Sequence, residues 1–240
     1  MLKGILDRLV ARKPSKTDVA DVYHTALGQR QVRELGDARL MTFEKDGAFD
    51  YALYRELQNL TNARKLESQW VTEPQIAALA QVVARHVPQP RFGLCHGTRQ
   101  GKEQKWFAAH LPGCDVLGTE IADSATQFPQ TVQWDFHDEN PDWLGRAAFV
   151  YSNSWDHAYD PKKAFTTWVG SLKPGGVMLL DCSSGHMPDT ISETDPFGAG
   201  RDTLCQLLTE WFGDIGAIRE TQTLERKSQI VETVVFQRAA

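Results

Sequence analysis

Apolar residues in the first 71 positions recur mostly at helical spacing. Leu2, Ile5, Leu6, Leu9 and Val10 share one side of a wheel that carries Lys3, Arg8 and Arg12 elsewhere, which predicts a helix ended by Pro14 and Ser15. That helix reads as a docking element for the domain or a partner, or as a basic membrane-surface helix. From Asp18 to Leu40 the chain is polar, with alanine and leucine spaced for one or two helices. Asp46-Gly47 centres a turn between Met41 and Phe49, and Leu53, Leu57 and Leu60 mark a helix over Tyr51 to Leu66. Residues 1–71 therefore read as a helical cap or extension, and 72–240 as the main domain.

Beyond residue 72 the period changes. Thr72 and Gln75 have the spacing of a capping box, and Pro74 sits in the first turn, where its missing N–H costs nothing. Ile76, Leu79, Ala80 and Val83 form the apolar face of this helix, which stops before Pro88. Short strands then alternate with helices. The stretch Arg91 to Ile121 reads as strand, glycine turn, helix and strand; Thr131 to Asp138 is a third strand, and Ala147 to Ser152, apolar nearly throughout, a fourth. A helix with Ala164, Phe165, Trp168 and Leu172 on one face breaks at Lys173-Pro174-Gly175-Gly176, and Val177 to Cys182 is a fifth strand. Ser183 to Gly200 has the length and punctuation of a functional loop or lid. A helix over Arg201 to Phe212 and an antiparallel pair, Ile215 to Leu224 with Gln229 to Arg238, close the chain. This alternation predicts an α/β fold: a doubly wound, mostly parallel seven-stranded sheet with helices on both faces.

Ligands of such sheets collect at the carboxyl ends of the strands, where Glu120, Asp135, Asn153 and Ser183 all fall. Gly97 and Gly101 let the backbone turn tightly beside a ligand, and the helix that follows points free N–H groups at it. Glu120 lies nineteen residues beyond Gly101, at the tip of the next strand. A carboxylate there accepts hydrogen bonds from both hydroxyls of a ribose, so the stretch favours a nucleoside ligand.

Composition narrows the partners. The 240 residues suit one α/β domain with an extension, and a formal charge of −5 gives no footprint for wrapping nucleic acid. No run of about 18 apolar residues predicts a membrane span, and the basic start lacks a continuous apolar core and a cleavage site, so the expected compartment is cytoplasmic. Cys95, Cys114, Cys182 and Cys205 are widely separated and read as free thiols. Oligomeric state leaves no trace in the sequence.

Four places carry a family resemblance: the turn Cys95-His96-Gly97-Thr98-Arg99-Gln100-Gly101, Glu120, the Asp135-Phe136 pair, and Leu172-Lys173-Pro174-Gly175-Gly176. Over roughly Thr72 to Arg238 the chain resembles the class I S-adenosylmethionine-dependent methyltransferases, which have a Rossmann-like fold. The resemblance implies S-adenosyl-L-methionine as cofactor, with Gly97 and Gly101 at its methionine moiety, Glu120 at ribose, and Asp135 with Phe136 at adenine. Cys95, His96, Thr98, Arg99, Ile121 and Asn153 complete the candidate cofactor-binding set. The family's turn is acid-x-Gly-x-Gly-x-Gly; here Cys95 takes the acid's place and Arg99 that of the middle glycine. Arg99 is either a charge-assisted partner for the methionine carboxylate or a residue that pairs locally or points to solvent.

Asn153 to His157 follows strand four, which in this family faces the methyl group. Transfer to a hydroxyl needs a base; His157 has a suitable ordinary pKa and Asp156 is placed to orient it, so these two are the candidate catalytic residues. His137 with Asp138 is the rival pair, and His186 with Asp189 and Glu193 lies in the expected lid. Asp156, His157, Asp160 and Asp181 offer metal ligands, but their spacing matches no ligand motif, so no metal is assigned. The resulting expectation is a methyltransferase acting on a small-molecule or glycosyl-type acceptor, with oxygen as the expected methylated atom. The alternatives are an NAD-dependent oxidoreductase, disfavoured because 97–101 lacks G-x-G-x-x-G spacing, and a catalytically silent nucleoside-binding scaffold.

Overall fold

The computed structural model describes residues 16–226 and 229–240. The helix expected over 1–13 lies outside them. The chain runs α1 (Lys16–Gln29), β1 (Arg30–Leu35), β2 (Ala38–Lys45), β3 (Ala48–Phe49), α2 (Tyr51–Arg64) and α3 (Glu73–His86). There follow β4 (Phe92–His96), α4 (Lys102–His110), β5 (Asp115–Glu120), β6 (Thr131–Gln133), β7 (Ala147–Ser152), α5 (Pro161–Ser171) and β8 (Leu172–Cys182). The chain closes with β9 (Phe197–Gly198), α6 (Arg201–Phe212), β10 (Gly216–Arg226) and β11 (Gln229–Arg238).

Seven strands form the main sheet in the order β10-β11-β8-β7-β4-β5-β6. The five from β6 to β8 are parallel, and β11 runs antiparallel to both of its neighbours. From β4 the chain first builds outward through β5 and β6, then returns to lay β7 and β8 on the other side. The order thus reverses between β4 and β7, and a crevice opens beyond their carboxyl ends. One face of the sheet buries Phe165, Trp168, Leu204 and Leu208 from α5 and α6; the other buries Ile76, Leu79, Val83 and Phe107 from α3 and α4.

The front of the chain departs from the expected helical cap. Residues 30–45 are an antiparallel hairpin, Arg30 opposite Phe43 and Leu35 opposite Ala38. In β1 five of the six residues are exposed and four are polar, so no apolar alternation announced a strand; cross-strand pairing decided its form. Strand β2 buries Ala38 and Leu40 in the main core, while Met41 and Phe43 join Ala26, Leu53, Tyr54 and Leu57 in a separate cluster under α2.

Residues 183–200 also differ from a free lid. Within them β9 pairs with β2, Leu40 opposite Phe197, and Met41 N–H donates to the Pro196 carbonyl at 2.8 Å. Phe197 is wholly buried. The capping box at Thr72 is not formed either, since the Thr72 side chain makes no cap bond. Gln75 turns inward instead and its Nε2 donates to Asp181 Oδ2 at 2.6 Å, where Tyr151 and Thr233 hydroxyls donate to the same carboxylate. Three donors satisfy a fully buried charge inside the sheet wall, which takes Asp181 out of the set of metal-ligand candidates.

Glu103, in the first turn of α4, is buried with one oxygen accepting from Gln69 Nε2 at 3.1 Å and the other without a partner. Burial, only partly opposed by hydrogen bonds and by Arg99, pushes its pKa up to about 7 from an ordinary 4.5. The folded state therefore holds this proton more tightly than the unfolded chain. Its contribution to stability is complete below pH 4.5 and is lost as pH rises through about 7. Glu103→Gln should accordingly leave unfolding by urea little changed at pH 4 and stabilise the protein at pH 8, on the order of 1–3 kcal/mol. An equal effect at both pH values would contradict this account.

Candidate functional site

The crevice at the switch point is shaped by the turn after β4. Gly97 has φ 72 and Gly101 φ 69, and between them Arg99 takes φ 44, a conformation unusual for a residue with a side chain. Gly97 and Thr98 donate their N–H groups to the Thr119 carbonyl at 2.9 and 3.1 Å, which ties the turn to β5. A Cβ on Gly97 would stand 2.6 Å from Ser154 Cβ, so glycine is what lets the turn approach the loop after β7.

Glu120 holds the strained part of this turn. Its Oε2 accepts from Arg99 N–H and its Oε1 from Ala122 N–H, both at 3.0 Å. Burial raises its pKa above the ordinary value despite the N–H groups of Ala122, Arg99 and Ile121 and the nearby Arg99 charge. A carboxylate has about four lone-pair directions, so roughly one remains for a ligand in the cavity that Glu120 lines. The Arg99 guanidinium turns back to the α2–α3 connection, where Nη1 donates to the Ser68 carbonyl at 3.1 Å and more distantly to that of Lys65. Gln100 donates to the Leu66 carbonyl beside it. Arg99 thus pairs locally, although it also lines the cavity and its Nε is buried without a partner.

At the far end of the cavity, Asp135 accepts from the N–H and Nδ1 of His137 and from the Tyr51 hydroxyl, at 2.9, 2.7 and 2.9 Å. Burial would raise its pKa, but these partners outweigh it and hold the carboxyl below its ordinary value. His137 is wholly buried, stacked 3.7 Å from Tyr159, and its Nε2 accepts from Asp160 N–H. Burial lowers its pKa, leaving a neutral ring with both nitrogens engaged. Asp138 pairs with Lys163 at 2.9 Å on the surface. The rival acid–base pair of His137 and Asp138 is therefore not assembled.

Seven expected site residues line one cavity: Gly97, Arg99, Glu120, Ile121, Asp135, Phe136 and His157. Thr98 and Gly101 shape the turn behind it. Asn153 and Asp156 open instead onto an adjoining compartment that shares Arg99, Ser154 and His157 with the first. Cys95 and His96 reach neither. Cys95 is buried on β4 against α3 and α4, and burial raises its thiol pKa well above the ordinary value. His96 stacks on Trp168 at 4.8 Å and shares a hydrogen bond with Thr119; burial and then His137 lower its pKa to about 3.

Four residues of α2 escaped the sequence reading. Tyr54, Gln58, Thr61 and Asn62 form a roof over the cavity. Their spacing of four, seven and eight residues is one helix face, so a buried polar stripe beside Leu53 and Leu57 was the available signal.

His157 stands where the two compartments meet. Gln58 Nε2 donates to the Thr194 carbonyl at 2.8 Å, which orients the amide and directs its Oε1 to His157 Nδ1, also at 2.8 Å. That contact requires the proton on Nδ1. His157 Nε2 then lies 3.2 Å from Asp195 Oδ1 and 4.0 Å from Asp156 Oδ1. Burial pushes the Asp156 pKa up to about 7. In Asp195 the opposing pull of His157 and Lys65 outweighs burial, and the pKa falls below its ordinary value. Nearby, His186 Nδ1 accepts from Ser183 N–H at 3.1 Å and its Nε2 donates to the Asn153 carbonyl at 2.9 Å, so it braces the loop.

No family model matches the chain, and no curated protein matches it in sequence. Solved structures do resemble it. Magnesium protoporphyrin IX methyltransferase from Synechocystis PCC 6803, solved with bound SAH, has TM-score 0.57 at 11% identity, over 79% of this chain and 100% of that one. A putative methyltransferase from Haloferax volcanii, in complex with the Trm112 methyltransferase activator, has TM-score 0.56 at 12% identity, over 78% and 98%. Geranyl diphosphate C-methyltransferase from Streptomyces coelicolor A3(2) has TM-score 0.51 at 11% identity, over 70% and 82%. The chain has a class I methyltransferase-like, Rossmann-like fold. Among the described residues no helix is long and apolar enough to cross a membrane.

Proposed function

We propose that the chain is an S-adenosylmethionine-dependent methyltransferase acting on a small hydroxyl-bearing acceptor in the cytoplasm. The observation that carries this reading is Glu120, a buried carboxylate with acceptor capacity to spare, in the wall of a cavity at the strand tips that opens past His157 into a second polar compartment. The cavity fits the cofactor in kind. A Cβ at Gly97 would intrude at the crossing of turn and β7 loop, Glu120 accepts from a ribose hydroxyl, and Phe136 with Ile121 offers apolar faces to adenine. Structural neighbours with this fold were solved with SAH or SAM bound, which supports the same choice.

Bound S-adenosylmethionine supplies an electrophilic methyl group on a sulfonium. The protein's part is to place the acceptor oxygen in line and take its proton. His157 Nε2 faces the acceptor compartment, Gln58 fixes the ring, and Asp195 stabilises the imidazolium that forms. Asp156, with a pKa near 7, is a local proton store beside it. Division into an extension over 1–71 and a methyltransferase domain over 72–240 belongs to the same proposal.

Calorimetric titration of the folded chain with S-adenosylmethionine, S-adenosylhomocysteine and NAD tests the cofactor. Binding of the first two and not the third is expected; binding of NAD alone would replace the reading with the oxidoreductase one, and cofactor binding without turnover across acceptor panels would favour a silent scaffold. With an acceptor in hand, His157→Ala should keep cofactor affinity near wild type while turnover falls about 10²- to 10⁴-fold. Wild-type rates in that variant would remove His157 from the mechanism.

A further inference from the structure

We propose that Asp156, His157 and Asp195 form a binding site for one divalent transition-metal cation on the wall of the acceptor compartment. One ligand atom from each residue lies within 4.8 Å of the other two. All three side chains line the same compartment, which leaves further coordination positions open to water or to an acceptor oxygen.

Two independent features point to a cation. The first is the orientation of the imidazole. The Thr194 carbonyl sets the Gln58 amide, Gln58 Oε1 takes the Nδ1 proton, and the Nε2 lone pair is aimed at two carboxylate oxygens. A ring nitrogen whose opposite N–H is held by a buried acceptor is the usual arrangement of a metal-ligating histidine. The second is Asp156 Oδ1, a buried oxygen with no hydrogen-bond partner, on a residue only 8% exposed. A proton shared between His157 and Asp195 satisfies that pair yet leaves Asp156 Oδ1 unanswered; a cation answers all three atoms.

The distances agree with this. Ligand atoms about 2.0–2.2 Å from a metal stand about 3 Å apart along a coordination edge, and Nε2 lies 3.2 Å from Asp195 Oδ1. Asp156 Oδ1, at 4.0 Å from Nε2, has to come about 1 Å closer to share the same edge length. One imidazole and two carboxylates suit manganese, iron or zinc rather than calcium or magnesium, which favour all-oxygen sets. The inference does not rest on methyl transfer. With methyl transfer at the same site, the cation occupies His157 Nε2, and the proton of a coordinated hydroxyl, made more acidic, leaves to water in the open compartment rather than to His157.

The test uses the full chain stripped with EDTA and titrated with Mn²⁺ by electron paramagnetic resonance, with no cofactor present. One saturable Mn²⁺ per chain is expected, weakened at least tenfold in Asp195→Asn, Asp156→Asn and His157→Gln. Asp189→Asn, in the same loop outside the compartment, should bind as wild type. Lys65→Met removes one of the two competing positive charges of the compartment, the other being Arg99, and should bind at least as tightly. In nuclear magnetic resonance spectra, Mn²⁺ should broaden the ring signals of His157 and spare those of exposed His24, a readout that needs no variant to fold. Absence of saturable binding, unchanged affinity in the three site variants, or equal broadening of both rings would overturn the proposal.

Discussion

Glu120→Ala is expected to weaken S-adenosylmethionine binding by about 10- to 100-fold, because two losses act together. The first is direct: in the proposed complex a charge-assisted bond to a ribose hydroxyl contributes roughly 1.5–3 kcal/mol. The second is structural, since the same carboxylate accepts from the N–H of Arg99, whose left-handed conformation gives the turn its shape. Glu120→Gln loses less of the turn. Its amide oxygen can still accept one backbone N–H, while its NH₂ group meets the other donor to donor. That variant should bind weakly and melt below wild type. The measurements are calorimetric affinity and thermal unfolding of all three proteins; an unchanged dissociation constant in Glu120→Ala would move the ribose site elsewhere.

The second large effect is expected from Gly97→Ala. A left-handed backbone costs an alanine roughly 1–2 kcal/mol, and here the added Cβ also meets Ser154 Cβ at 2.6 Å, well inside contact distance. Turn and β7 loop must separate to accommodate it, and both line the cavity. Cofactor binding should fall at least tenfold and the melting temperature should drop by several degrees. Adding Ser154→Gly removes the overlap and leaves the backbone cost, so the double variant should recover part of the affinity but not the full stability. Recovery of neither quantity would show that the crowding seen at this crossing is not what limits the site.

What could be read from the sequence was whatever local pattern decides. Strand β7 was legible because Ala147 to Ser152 is buried throughout and reads as one apolar run. The turn was legible because Gly97 and Gly101 mark positive φ directly. Glu120 followed from its place at the tip of β5. Illegible features depended on distant partners. The hairpin β1–β2 has an exposed, polar first strand, and its partner β9 lies more than 150 residues further on. Gln75 matched a capping signal, but a buried carboxylate on β8 competed for its amide and won. His96 and Cys95 sat in the expected motif, yet strand alternation sends their side chains into the two cores rather than the crevice. Asp195 was invisible as a site residue, because its meeting with His157 depends on how residues 183–200 are stitched to β2.

The roof formed by α2 bears on where this protein can be divided. Tyr54, Gln58, Thr61 and Asn62 all precede residue 72, while the turn, the strand tips and His157 all follow it. A cut at that boundary passes through the ligand cavity, not between two finished parts. The piece from 72 onward would keep the sheet and the turn but leave the cavity open along one side, and His157 would lose the amide that sets its ring. A polypeptide meant to keep this cavity closed therefore has to include α2, wherever the extension is taken to end.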